Sequence, residues 1–377
     1  MTDSLRRPSP TTTTTTPIAE EFRRFRSEVG GDDLGLRDMR RSGSLELSIG
    51  SMPASEDPLR TPENFPIELE RLEGPISAVE IPHRRGETRF RYFLDGTQKT
   101  LPIGRIGLVP VVVALSVAGI LHRNERGEAA LLSGSLRQSQ AWVFPLYTGS
   151  YELDRIRDWL EGRGHTVIDP IAPTGSLPDN YDALVQHYGR LIELSQRTSA
   201  TLRAGLETDL IRTWAEEVSP DDADAWLVVD GKLRQNVPNA IGLVKSLQMQ
   251  HLAGAEAVAL FNLPEGHRTT AFRYVTRSDA TPGIWDDGET PTENRTMWYQ
   301  RFWDSSGLDA RHALVRIEAP HEVATPEEID RIAGWLVSER LPRATADPRW
   351  PTLLYPIHYL EAILKRRLAA LTAGWPS

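Results

Sequence analysis

The chain has 377 residues, a net charge of −9 at neutral pH and no cysteine. Hydrophobic residues make up 40% and charged residues 25%, which is typical of a soluble globular protein with a large core. The lack of cysteine excludes disulfides, zinc–thiolate sites and a cysteine nucleophile. The acidic charge argues against a uniformly basic nucleic-acid-binding surface, although it leaves room for a local groove that binds DNA.

The first part of the chain differs in composition from the rest. Residues 1–65 are rich in Pro, Ser, Gly and Thr, including the run Thr11–Thr16, and this composition predicts a disordered N-terminal arm. Within it, Ile18–Val29 has the spacing of a short amphipathic helix, and the arm is either a free tail or a docking peptide for a partner. The folded domain is expected to span residues 66–377.

The strongest apolar run, Leu108–Leu121, is tested first as a membrane segment. It is about 14 residues long, shorter than the roughly 20 that span a bilayer, and Pro110 interrupts it. The run therefore predicts buried sheet. Because the N-terminus is polar and lacks an apolar signal-peptide core, we expect a soluble, cytoplasmic protein that does not bind membranes.

Period-2 and period-3.6 patterns alternate along the folded part and predict a mixed α/β protein that begins with an antiparallel meander. The predicted strands are 76–81, 89–94, 106–121, 129–132, 225–230, 240–245, 257–261, 269–275 and 313–318. The predicted helices are 153–161, 181–217 with a break near Ser199 or Gly205, 327–341 and 354–371.

Two predicted strands end in the same dipeptide, which singles out two carboxylates. The strand 89–94 runs into Asp95-Gly96, and the strand 225–230 ends in Asp230-Gly231. One interpretation is a pair of turns closed by Asp side chains. The other is that the two strands deliver Asp95 and Asp230 to one edge of one sheet, where carboxylates hold a divalent metal ion.

Glu207 falls inside the apolar stripe of the long helical region, although burying an unpaired carboxylate is costly. It is either a third metal ligand or the partner of Arg203, four residues earlier. Lys245 closes a short apolar run and is a contact for a DNA phosphate, a contact for the site carboxylates, or a solvated strand end. Glu318 ends a strand and is a similar candidate, or pairs with a nearby arginine. The sequence contains no dinucleotide or phosphate-binding glycine loop and no GxSxG nucleophile motif.

A series of short landmarks in a fixed order resembles the NurA family of nucleases over about residues 85–370. These landmarks are Leu94–Thr97 (LDGT), Val228–Leu233 (VVDGKL), Gly242–Lys245 (GLVK), Gly266–Phe272 (GHRTTAF), Trp298-Tyr299, Val315–Pro320 (VRIEAP), and Tyr355-Pro356 followed by Leu360 and Ala362.

The resemblance implies an RNase H-like mixed β-sheet flanked by helices and a DNA nuclease that depends on Mn²⁺ or Mg²⁺. Asp95 and Asp230 match the two metal-binding aspartates of that family, and we assign its helical glutamate to Glu207. The resemblance also implies a homodimer that works with a HerA-like hexameric ATPase, a DNA translocase, in DNA end processing or anti-phage defence.

One position departs from the family pattern. The resemblance implies a histidine directly after Ala362, where this chain has Ile363. His358 lies one helical turn before Ala362 and is either a substitute for that histidine or a core residue. Two functions therefore remain open: an active nuclease, with Asp95, Glu207, Asp230, Lys245 and His358 in its site, or an inactive NurA-like scaffold that binds DNA or the translocase ring.

Overall fold

The computed structural model describes residues 16–30, 34–42, 68–82, 88–245, 252–275, 295–340 and 350–375. These ranges contain seven α-helices and 14 β-strands. The helices are α1 (Ile18–Val29), α2 (Tyr151–Glu161), α3 (Tyr181–Val185), α4 (Tyr188–Thr213), α5 (Gly254–Phe261), α6 (Pro326–Glu339) and α7 (Tyr355–Leu371). The strands are β1 (Arg37–Asp38), β2 (Glu68–Arg71), β3 (Ala78–Glu80), β4 (Phe90–Ile106), β5 (Val109–Arg123), β6 (Ala129–Leu131), β7 (Arg137–Val143), β8 (Thr166–Ile168), β9 (Trp226–Asp230), β10 (Ala240–Val244), β11 (His267–Thr269), β12 (Phe272–Val275), β13 (Thr296–Arg301) and β14 (Leu314–Ala319).

The strands join in one mixed sheet with the main order β2-β12-β13-β14-β10-β9-β4-β5-β7-β8. At its centre, β5 runs antiparallel to both β4 and β7, whereas β9 is parallel to β4 and β10 is parallel to β9. The predictions of a mixed α/β protein and of an initial antiparallel meander are confirmed. The helix α4 makes the crossover from the meander to β9.

The prediction that a strand ends at Leu94 is wrong. Strand β4 continues to Ile106, and Asp95 pairs with Gly119 of β5 inside the ladder. The turn comes at Gly107, which has a positive φ of 55°, a conformation that glycine adopts readily. Pairing along the whole of β5 therefore overrides the local turn preference of Asp-Gly.

Two further predictions are corrected. Residues 257–261 lie in helix α5 rather than in a strand, because a short apolar run fits either state and tertiary packing decides. The long helical region is interrupted at Gln186 and His187 instead of Ser199 or Gly205. Ser199 is instead buried, where its hydroxyl accepts a hydrogen bond from Thr100 of β4 at 2.8 Å.

The amphipathic helix expected at residues 18–29 is confirmed as α1, which packs against the rest of the folded chain. Ile18, Phe22, Phe25 and Val29 are buried in the main hydrophobic core. The ring of Phe22 packs edge-on against Trp375, with centroids 5.8 Å apart. These residues are therefore part of the core rather than of a free arm, while residues 1–15, 31–33 and 43–65 lie outside the described ranges.

The two faces of the central strands are covered by different helices. On one face, Leu94 of β4 packs in a cluster with Leu206 and Leu210 of α4. On the other face, Phe93 belongs to the main core, which includes Leu364 of α7. Successive residues of β4 therefore face α4 and α7 in turn. None of the helices in the described ranges combines the length and hydropathy that a membrane-spanning segment requires.

Candidate active site

Asp95 lies in the middle of β4, where the alternation of the strand directs it to the face covered by α7. Its side chain is buried, with 6% of the residue exposed, and one carboxylate oxygen accepts a hydrogen bond from the backbone of Gly96 at 2.8 Å. The cross-strand neighbour Gly119 has no side chain, so Leu364 of α7 approaches the sheet closely at this point.

Asp230 is brought beside Asp95 by the parallel pairing of β9 with β4. Leu94 pairs with Val229, so the residues that follow each of them, Asp95 and Asp230, are neighbours at the point where β9 ends. Asp230 accepts a hydrogen bond from the ammonium group of Lys245 at 2.7 Å, and both side chains are largely buried. Of the alternatives for Lys245, the structure supports a contact with a site carboxylate.

Glu207 reaches the site from α4, on the opposite face of the sheet. Gly96 makes this approach possible, because a Cβ atom there would overlap the carboxylate of Glu207 and lie 3.0 Å from Cγ of Arg203. The Arg203 guanidinium donates to Glu207 at 2.6 Å, as the sequence suggested, and Arg234 lies 3.8 Å from the other carboxylate oxygen. Glu207 is 3% exposed, so its charge is offset mainly by these two arginines.

The carboxylates influence one another electrostatically. Burial raises the pKa of Asp95 well above its ordinary value, and the nearby charges of Asp230, Glu207 and Glu361 add to that rise, while Lys245 opposes it. Burial also raises the pKa of Glu207, an effect that Arg203 and Arg234 oppose and Asp230 reinforces. We call Asp95, Glu207 and Asp230, together with Lys245, the Asp95 cluster.

The loop after Asp230 is held by a second buried acidic group. Gly231 has a positive φ of 117°, and the chain then folds back over Gly242, where a Cβ atom would meet the backbone nitrogen of Leu233. That nitrogen donates to Glu318 at 3.0 Å. The anchored loop leads directly into Arg234, which contacts Glu207.

Glu318 itself is matched by two buried arginines. Arg316 donates to one carboxylate oxygen at 2.8 Å, and Arg295 donates to the other at 3.3 Å. We call these three residues the Glu318 cluster. Of the two sequence interpretations, pairing with a nearby arginine describes Glu318.

The sequence and the structure agree on four of the five candidate residues as neighbours. The structure brings together Asp95, Glu207, Asp230 and Lys245. His358 is not joined to any of them by a hydrogen bond or ion pair among the described residues, and its Nδ1 atom is buried without a hydrogen-bond partner.

Sequence reasoning missed Glu361 of α7, whose charge contributes to the raised pKa of Asp95. The sequence feature that could have drawn attention to Glu361 is its i,i+4 spacing from Lys365, with which it forms an ion pair.

The donor set fits a hard divalent cation such as Mn²⁺ or Mg²⁺. Carboxylate oxygens are the ligands that such ions prefer, and a bound cation would offset the burial and the carboxylate charges that raise the pKa of Asp95. In the part of the chain that the structure describes, no three His, Asp or Glu side chains are already gathered as a metal site. Lys245 holds Asp230, and Arg203 holds Glu207.

Comparison with known proteins gives limited information. No family model matches the chain. The chain is 28% identical over 198 residues to the alanine–tRNA ligase of Chlorobium chlorochromatii. The match covers 52% of this chain and 20% of the ligase, so the chain spans about a fifth of the length of that curated relative. A similarity of this extent does not establish membership of a family.

Proposed function

We propose that the protein is a metal-dependent nuclease of the NurA type that hydrolyses DNA phosphodiester bonds at the Asp95 cluster. The observation that carries the proposal is Asp95 itself. It is a buried carboxylate on a central strand, and its pKa is raised by burial and by two other carboxylates, Asp230 and Glu207. Such a site favours a bound cation, because positive charge would offset the clustered negative charge.

The sheet topology supports the RNase H-like fold that the NurA resemblance implies. A three-strand antiparallel meander (β4, β5 and β7) is followed by the crossover helix α4 and by β9 and β10, both parallel to β4. In this arrangement the three proposed metal ligands come from β4, α4 and the end of β9. Three separate elements would thus each contribute one of the proposed ligands.

Asp95, Glu207 and Asp230 would hold Mn²⁺ or Mg²⁺ in the proposed mechanism. The chemistry that a bound pair of such ions would supply is an activated water nucleophile and stabilisation of the leaving oxygen of the phosphodiester. The chain's own residues position the carboxylates and limit access of water, since Asp95 and Glu207 are buried. Lys245 pairs with Asp230 in the absence of a cation, and we propose that it contacts a DNA phosphate when a cation binds.

The proposed partners are DNA, a second copy of the chain and a HerA-like hexameric ATPase. The net charge of −9 suggests that the translocase feeds substrate to the site, since an acidic protein attracts DNA weakly by itself. Equal turnover of DNA with and without the ATPase would exclude this dependence.

A second candidate function is an inactive NurA-like scaffold that binds DNA or the translocase ring. The specific observation in its favour is Ile363, which occupies the position of the family histidine and packs against the main core. His358, the other candidate, has a buried Nδ1 atom without a hydrogen-bond partner and, among the described residues, no hydrogen bond or ion pair with the Asp95 cluster.

The test is degradation of labelled linear and circular DNA in Mn²⁺, with EDTA controls and with or without the partner ATPase. Asp95→Asn and Asp230→Asn are each expected to lower the rate on the order of 10³-fold or more, as when a residue of a catalytic unit is removed. Asp309→Asn, at an exposed carboxylate paired with Arg311, is the matched control and should cut like the wild type. Failure of the wild type to cut even with its partner would favour the scaffold.

A further inference from the structure

Helix α7 passes directly over the strand pair that contains Asp95. Leu364 has a methyl carbon 3.4 Å from the position that a Cβ atom would take on Gly119. Gly119 is the cross-strand partner of Asp95. Glu361 lies three residues before Leu364, about one helical turn away on the same side of α7. The packing of α7 therefore brings Glu361 to the face of the sheet to which Asp95 is directed.

The ion pair between Glu361 and Lys365 is unequally buried. Lys365 Nζ lies 2.8 Å from the Glu361 carboxylate, and the side chain of Glu361 is 14% exposed whereas that of Lys365 is 57% exposed. An ion pair that served only the helix surface would leave both groups in solvent. Here the carboxylate lies inward and the ammonium group lies outward.

Glu361 lies close enough to Asp95 to interact with it electrostatically, as Asp230 and Glu207 do. Each of these three carboxylates has its own basic partner: Lys245 for Asp230, Arg203 for Glu207 and Lys365 for Glu361. Asp95 thus lies within the influence of three carboxylates from β9, α4 and α7.

We propose that Glu361 is a fourth carboxylate ligand of the metal site, delivered by α7 to the side of the site opposite α4. The proposal rests on the nuclease function proposed above. In this proposal the ligand that α7 supplies is Glu361. It is neither Ile363, which packs against the core, nor His358. Lys365 then pairs with the Glu361 carboxylate when no cation is bound, and this ion pair breaks when a cation binds.

The experiment is a titration of the full-length protein with Mn²⁺ alone, in which free Mn²⁺ is followed by electron paramagnetic resonance. Glu361→Gln is expected to weaken Mn²⁺ binding by about tenfold or more, the loss typical when a group that supports a metal site is removed. Lys365→Met is expected to leave the affinity unchanged or to tighten it, because a competing cation is removed. Thermal unfolding of both variants in EDTA checks that each one is folded.

The two variants separate a ligand from a helix-surface ion pair. If Glu361 only paired with Lys365, both substitutions would break the same pair and neither would change Mn²⁺ affinity. If, in addition, the wild type bound Mn²⁺ and Asp95→Asn did not, the proposed role of Glu361 would be overturned and the nuclease proposal would stand. Absence of Mn²⁺ binding by the wild type would overturn both proposals.

Discussion

Two buried acidic centres lie in the central sheet, Glu318 on β14 and Asp95 on β4, and they differ in how their charge is offset. Glu318 of β14 accepts hydrogen bonds from Arg316, Arg295 and the backbone of Leu233. Asp95 accepts a hydrogen bond from its own neighbour Gly96, and burial and three nearby carboxylates raise its pKa while Lys245 opposes the rise. Both groups are nearly fully buried.

The difference separates a structural carboxylate from one available to a ligand. A buried charge is tolerated when it is paired and hydrogen-bonded, and removing one partner is then strongly destabilising. A buried carboxylate whose charge is not fully matched costs stability in the ligand-free protein, which is common at functional sites. The Glu318 cluster accordingly holds the loop after Asp230, and the Asp95 cluster is the candidate for chemistry.

The largest expected effect on stability is at the Glu318 cluster. Glu318→Gln removes the charged partner that Arg295 and Arg316 share, and we expect the free energy of unfolding to fall by about 3–5 kcal/mol. Urea unfolding measures this loss. Asp224→Asn, which breaks the exposed pair with Arg89, is the control and should cost less than about 1 kcal/mol. Equal effects of the two substitutions would remove the contrast between the clusters.

A smaller effect is expected where α4 meets β4. In Gly96→Ala the new methyl group overlaps the Glu207 carboxylate, so we expect a loss of about 1–3 kcal/mol from overpacking and a lower nuclease rate, because Glu207 must move. The control is Gly205→Ala on the same helix, where a Cβ atom meets nothing within 4 Å. That substitution should stabilise the protein by about 0.5–1 kcal/mol, as alanine is favoured over glycine in helices.

If Gly96→Ala kept full stability and full activity, the close approach of Glu207 to β4 would have no functional meaning. Urea unfolding and DNA degradation on the same two variants decide this point.

The smallest expected effect is a pH dependence of stability that belongs to Asp95. Its pKa is raised above the ordinary value of 3.8 in the folded, metal-free protein. The folded state therefore holds the Asp95 proton more tightly than the unfolded state does. The stability that this difference contributes is fully present below pH 3.8 and is lost as pH rises through the folded-state pKa. Asp95→Asn cannot ionise, so in EDTA it should become progressively more stable than the wild type as pH rises from the ordinary Asp pKa of 3.8 to the raised folded-state pKa. A difference that does not change with pH would contradict this account.

The sequence proposed candidate residues without predicting their placement. The repeated Asp-Gly pattern singled out Asp95 and Asp230, and the apolar stripe of the helix singled out Glu207. The position of Asp95 inside β4 could not be predicted, because it depends on pairing with β5 across the turn at Gly107. Local turn preference and long-range pairing conflict there, and pairing wins.

Other features of the site depend on tertiary structure alone. Gly96 has no local requirement for glycine such as a positive φ, and the need for it appears only when α4 packs against β4. Likewise, the i,i+4 spacing of Glu361 and Lys365 predicts an ion pair, whereas the direction of Glu361 follows from how α7 lies on the sheet. His358 was a candidate by sequence proximity to Ala362, and in the described residues no hydrogen bond or ion pair joins it to the carboxylates.

The measurement that tests the central claim most directly is the thermal unfolding temperature at neutral pH with and without Mn²⁺. The comparison uses the wild type and Asp95→Asn. In EDTA the variant should unfold at the higher temperature, because it lacks the buried charge. Addition of Mn²⁺ should raise the unfolding temperature of the wild type, since a ligand that binds the folded state stabilises it, and should leave the variant unchanged. An equal response of both proteins to Mn²⁺ would contradict the claim that Asp95 is the centre of a metal site.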